Sequence, residues 1–114
     1  ATDPSVLLMD EPFAALDAQT RRFLQRELSD IWRRTRKTIV YVTHDIREAL
    51  LLGQQVMVMS AGPDARILER FDVPLAYPRD DLDERFVSLY RRIDRIIEEE
   101  VSRQWTATDV PSTR

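Results

Sequence analysis

Residues 6–9, Val-Leu-Leu-Met, form an unbroken apolar run that stops on two adjacent acids and a proline, Asp10, Glu11 and Pro12. A short strand that is apolar at consecutive rather than alternate positions fits a parallel sheet covered on both faces. A second run rich in β-branched residues, Thr38–Thr43 (TIVYVT), stops in the same way on a titratable pair, His44 and Asp45. Between the two runs, from about Ala18 to Arg36, Phe23, Leu24, Leu28, Ile31 and Trp32 recur at helical spacing and predict an amphipathic helix. Arg26, Asp30 and Arg34 stand four apart on its expected solvent side.

Further along, Asp45 is placed to cap a short helix, and Glu48 three residues later completes a capping-box pattern. That helix carries Ala49 to Leu52 and ends near Gly53. Val56–Ser60 reads as a third strand, Ala61-Gly62-Pro63-Asp64 as a turn, and Arg66–Phe71 as a strand pairing back antiparallel. After Pro74 and Pro78, a long amphipathic helix is predicted from Asp83 to about Ser102, with Phe86, Leu89, Tyr90, Ile93, Ile97 and Val101 on its apolar side. The small, polar tail from Thr106 to Arg114 is expected to fray. The alternation predicts an α/β fold, a parallel sheet with right-handed crossovers and flanking helices. Residues 1–75 form the core of this plan and 76–114 a helical extension and tail.

Composition narrows the functional classes. A chain of 114 residues is one domain or a piece of one, and a hydrophobic fraction of 43% is enough for a core. The net charge of −3 argues against a nucleic-acid-binding chain. The absence of cysteine excludes disulfides, a thiol nucleophile and a thiolate metal site in this sequence. No apolar run approaches the roughly 20 residues of a spanning helix, and no signal peptide is evident, so a soluble, cytoplasmic chain is expected. A start at Ala1 rather than methionine is expected of a processed or truncated product.

In open α/β sheets, ligands bind beyond the carboxyl ends of the strands. Asp10 and Glu11 stand at one such end and His44 and Asp45 at the next, so neighbouring strands would bring them to one crevice. Pro12 disfavours the helical region for Glu11, which predicts an extended chain through Glu11 with both carboxylates aimed outward. Two acids and an imidazole suit divalent-metal and phosphate chemistry.

VLLMDEP followed by FAALD resembles the Walker B segment and D-loop of ABC-transporter ATPases, and VTHDIREAL resembles the H-loop of the same family. DEPFAALDAQTR, the IW and KT pairs and VTHD are most similar to the subgroup serving nitrate, sulfonate and taurine importers. The resemblance covers residues 1–75 well and extends more loosely through the C-terminal helix. It implies a partial P-loop NTPase (RecA-like) fold and an ATPase in the full-length parent. By the resemblance, Asp10 holds Mg²⁺, Glu11 polarises the attacking water, His44 contacts the γ-phosphate of ATP, and Asp17 reaches the opposing ATPase subunit of a head-to-tail dimer. Transmembrane permease subunits are the further partners. The location implied is peripheral, on the cytoplasmic face of the inner membrane.

The sequence also departs from the family pattern. Its two glycines, Gly53 and Gly62, form neither a phosphate-binding Gly-rich loop nor a signature loop, and the glutamine loop is absent too. The match is therefore to the C-terminal half of such an ATPase, and the isolated chain is expected to be inactive. Gly53-Gln54-Gln55 replaces a segment that usually ends in Asp-Arg, and PLAYPRD is less proline-rich than in related importers. Two other readings stay open: a non-catalytic remnant or interaction module, and an unrelated Mg²⁺-dependent phosphohydrolase using Asp10, Glu11 and His44. Simpler roles stand beside the functional ones. Asp17 and Asp45 suit helix caps. The cations of WRRTRK suit a helix C-terminus. Trp32 and Trp105 suit packing, and Arg91, Arg92, Arg95 and Glu98–Glu100 a solvated helix face.

Overall fold

The structure, a computed structural model, describes residues 6–61 and 63–107. Gly62 of the expected turn and residues 108–114 of the expected tail lie outside the described residues, as does the side chain of Trp105. The elements run β1 (Val6–Asp10), α1 (Ala18–Thr35), β2 (Thr38–Val42), α2 (Ile46–Leu52), β3 (Gln55–Met59), β4 (Ile67–Asp72) and α3 (Glu84–Ala107). They fall into two compact units that divide between Leu52 and Gly53.

In the first unit, β1 pairs parallel with β2 in a register that runs from Val6 opposite Thr38 to Asp10 opposite Val42. The intervening helix starts where Asp17 caps it: the Thr20 backbone N–H donates to Asp17 Oδ1 at 2.8 Å and the Thr20 hydroxyl to Oδ2 at 3.2 Å. These bonds, the Thr20 backbone N–H first, hold the Asp17 carboxyl below its usual range. The helix ends on Arg36, whose φ of 57° places it in the left-handed region while its N–H returns to the Trp32 carbonyl at 2.7 Å. The Arg36 guanidinium lies 4.8 Å from the Trp32 ring centroid.

Several expectations are corrected here. The strand predicted to be buried on both faces is not: Val6, Leu7 and Leu8 of β1 are exposed, as are Val40 and Val42 of β2. Its apolar run fits a sheet covered on both faces, but the face of Val6, Leu8, Val40 and Val42 is open, while Met9, Ile39 and Tyr41 on the other are half-buried. On α1, Leu24, Leu28 and Trp32 are half-buried while Phe23 and Ile31 are exposed, and the one fully buried position is the polar Gln25. Asp30 pairs at 2.7 Å with Arg33 on the adjacent turn, rather than with Arg26 or Arg34.

The second unit is a hairpin covered by a helix. β3 pairs antiparallel with β4 in a two-stranded sheet of its own, so the third strand does not extend the parallel sheet as predicted. The burial of β3 gives the reason. Val56 and Val58 point inward and Gln55, Met57 and Met59 outward, the alternation of a one-sided antiparallel strand. The register shifts between Val58 and Met59, the mark of a β-bulge. Val56, Val58, Phe71, Val73 and Leu75 form the core with Phe86 and Ile93 of α3. Tyr90, Ile97 and Val101, predicted on the apolar side of that helix, are exposed, and the helix continues through Thr106 to Ala107.

The PLAYPRD segment is tied down by one side chain. The Arg79 guanidinium donates to the carbonyls of Leu75 at 3.1 Å, Val73 at 3.3 Å and Gly53, and lies 4.1 Å from the Tyr77 ring centroid. Burial lowers the pKa of this guanidinium. Three carbonyls and a ring face are matched by a planar, five-donor fork.

Candidate functional site

The parallel pairing carries Asp10 and Val42 to the same level of the sheet. Beyond that level the Glu11 N–H donates to the Val42 carbonyl at 2.7 Å, which prolongs the ladder by one bond. The chain then turns sharply. Glu11 has a φ of 47°, and the Ala14 N–H reaches the Glu11 carbonyl at 3.3 Å. Glu11 is therefore not extended, as Pro12 led one to expect. The ladder bond fixes its N–H, the turn requires an immediate reversal, and the left-handed region satisfies both. A non-glycine residue held there is strained.

The turn directs the Glu11 side chain at His44, and Glu11 Oε2 is hydrogen-bonded to His44 Nδ1. Glu11 is half-buried, whereas the His44 side chain is 92% exposed. Hence the imidazole is positioned by Glu11 and by its own backbone rather than by packing. Asp10 is exposed at the end of β1 and is not joined to this pair. Asp17 is engaged at the α1 N-terminus. The segment between them is held by Arg21, whose guanidinium donates to the carbonyls of Leu16 at 2.7 Å and Phe13 at 3.4 Å.

Among the described residues, no group of three or more His, Asp or Glu side chains is arranged as a metal cage. One exposed carboxylate with a second beside it fits Mg²⁺, which keeps several waters and is commonly bound through one or two carboxylates plus substrate phosphates.

Asp45 caps α2 as expected, its Oδ1 accepting from the N–H groups of Arg47 at 3.0 Å and Glu48 at 3.3 Å. The capping box does not close. The Asp45 N–H donates to Thr43 Oγ1 at 3.0 Å, and Glu48 turns inward to accept from Gln25 Nε2 at 2.9 Å. Both Gln25 and Glu48 are buried. Tyr41 completes this cluster. Its hydroxyl is buried with no hydrogen-bond partner, the one such side-chain atom among the described residues. Its ring lies 6.0 Å from that of Phe13. Burial raises the Tyr41 pKa, and the Glu48 carboxylate raises it further.

The sign of a stability effect follows. The phenolate forms more readily in the unfolded chain, so folding stability is kept below the unfolded value of 10.0 and falls as pH rises beyond it. In thermal melts, Tyr41→Phe is expected to remove part of the alkaline destabilisation. Identical alkaline melting curves for the two proteins would refute the burial argument. The sequence presents Glu48 as a capping residue rather than a buried partner and Tyr41 only as part of a strand, and Gln25 escaped the reading because a polar residue inside an amphipathic pattern looks like surface. The only signal was Gln25 beside Leu24 and Leu28.

Over most of its length the chain is a homologue of ABC-transporter ATP-binding proteins. It is 46% identical, over 89% of its residues, to an uncharacterised ABC transporter ATP-binding protein of Methanocaldococcus jannaschii. More narrowly, it is 45% identical over 80% of its residues to the aliphatic sulfonates import ATP-binding protein SsuB of Bacillus thuringiensis, and 44% identical over 80% to that of Bacillus subtilis. The chain spans 38%, 36% and 35% of the lengths of these three relatives. No protein-family model matches it. Among the described residues, no helix is long and apolar enough to cross a membrane.

Proposed function

We propose that this chain is the C-terminal portion of the ATP-hydrolysing subunit of an ABC importer, in which hydrolysis drives solute uptake. The observation that carries the reading is the meeting of Glu11 and His44 beyond the ends of two adjacent parallel strands, with Asp10 one residue away. On this reading residues 1–75 belong to the ATPase core and 76–114 extend it. The names of the SsuB relatives support an importer of aliphatic sulfonates. The working assembly is a head-to-tail pair of ATPase subunits docked on permease subunits at the cytoplasmic face of the membrane.

The residues divide the work by their positions. Asp10, exposed at the strand end, would hold Mg²⁺ through water. The ion supplies charge neutralisation on the nucleotide phosphates when bound. Glu11 orients and deprotonates the attacking water. His44, held by Glu11 and otherwise exposed, donates to the γ-phosphate. Asp17 is used at the α1 cap, and the same exposed loop faces the opposing subunit. The phosphate-binding glycine loop is supplied from outside these residues.

The test uses the full-length subunit. Asp10→Asn is expected to raise the Mg²⁺ concentration needed for half-maximal hydrolysis by about tenfold or more, the usual cost of losing a group that holds a metal from its outer shell. His44→Ala is expected to slow turnover while leaving the nucleotide bound. An unchanged Mg²⁺ dependence in Asp10→Asn would remove Asp10 from the metal role. Wild-type turnover in His44→Ala would remove His44 from the site.

A further inference from the structure

His44 is almost wholly exposed, yet it stands at the centre of a segment whose two ends meet in a buried polar cluster. Tyr41, three residues before it, ends in a buried hydroxyl. Glu48, four residues after it, is buried against Gln25 of α1 at 2.9 Å. Between these ends, backbone bonds leave the segment little freedom. The Asp45 N–H is tied to Thr43, the Asp45 carboxylate caps α2, and the Ala49 N–H reaches the Asp45 carbonyl at 3.1 Å.

A carboxylate buried with a neutral amide as its hydrogen-bond donor is costly, and the favourable dipole of the first helical turn offsets only part of that cost. An apolar residue of similar size would pack there without that cost. A residue that breaks a local rule in this way is expected where function requires it.

We propose that Glu48 and Gln25 are positioning residues for His44: their buried hydrogen bond clamps the first turn of α2 to α1 and thereby holds the imidazole on Glu11. The clamp acts through the backbone of residues 44–48, since the Gln25–Glu48 hydrogen bond is separate from the Glu11–His44 one. Glu48→Ala lets the first turn of α2 shift, and the exposed imidazole has no packing of its own to resist the shift. The consequence for turnover rests on the hydrolytic reading given above, whereas the consequence for His44 geometry does not.

Two readouts separate the two ideas in the full-length subunit. The first is the ring resonances of His44 in ¹⁵N-correlated spectra, assigned by their loss in His44→Ala. In Glu48→Ala they are expected to move toward the positions seen in Glu11→Gln, where the partner carboxylate is gone. The second is turnover, expected to fall by about tenfold to a hundredfold, the scale of a small misplacement, with ATP affinity changed less than threefold. Glu48→Gln keeps an oxygen acceptor for Gln25 and is expected to restore both readouts to within a few-fold of wild type. Should Glu48→Ala not fold, Gln25→Met removes the donor alone and is expected to move the same resonances in the same direction. His44 resonances at wild-type positions in the folded variants would overturn the proposal. Moved resonances with unchanged turnover would support the clamp and count against the hydrolytic reading instead.

Discussion

Glu11→Gln in the full-length subunit is expected to lower single-turnover ATP hydrolysis by about 10²–10⁴-fold, the usual contribution of a general base. The substitution keeps the shape and removes the carboxylate. Two effects work in the same direction. No group remains to take the proton of the attacking water, and His44 Nδ1 loses the charged partner it has in the structure. On the proposed function ATP binding should survive, because a negative charge near the γ-phosphate has been removed and the contacts of the glycine loop are untouched. Bound ATP should therefore persist, and the ATPase dimer should accumulate in ATP and Mg²⁺. Hydrolysis within a few-fold of wild type would show that Glu11 is not the base. A double-mutant cycle with His44→Ala adds a further check. Residues that act as one unit lose less together than the sum of their separate losses.

The second large effect concerns the 114-residue chain expressed by itself. The β1–β2 pair presents Val6, Leu7, Leu8, Val40 and Val42 to solvent, and Phe23 and Ile31 of α1 are exposed as well. Leu8, at 70% exposure, is among the most exposed apolar residues. A two-stranded parallel sheet also carries two unpaired edges. Exposed apolar faces and free edges associate. At roughly tens of micromolar, a range in which partly covered species commonly aggregate, the chain is expected to sediment as oligomers or to precipitate. A monomeric mass with a single cooperative melt at that concentration would contradict the expectation. The chain spans little more than a third of the length of the relatives it matches.

The parallel pair could be read from the sequence because consecutive apolar residues and a helix-length spacer leave few other arrangements. The convergence of Glu11 and His44 followed from the same pairing, since both lie just past strand ends that share a level. The conformation of Glu11 did not follow. The preference that proline imposes on its neighbour is local, and it yielded to the ladder bond with Val42 and the turn at Ala14. Glu48 was legible as a capping residue by spacing alone, but spacing does not show which of two donors, the Asp45 N–H or the Gln25 amide, wins its carboxylate. The face of α1 was misread for a related reason. Periodicity gives the direction of the apolar stripe, while burial depends on what lies opposite, and for Phe23 and Ile31 no described element does.

Arg79 has a consequence for how the protein meets a protease. By composition, Val73 to Arg79 looks like a nick site: two prolines, an alanine and a tyrosine with a cation at the end. An endoprotease must draw several residues into an extended conformation in its cleft. Here the guanidinium binds the carbonyls of Val73 and Leu75 and fastens both to Gly53 at the start of the hairpin. A trypsin-like enzyme would also have to take this same side chain into its specificity pocket, breaking all three bonds and the stacking on Tyr77 before the first peptide bond is presented. The only arginine in the segment is thus the lock on its own cleavage site.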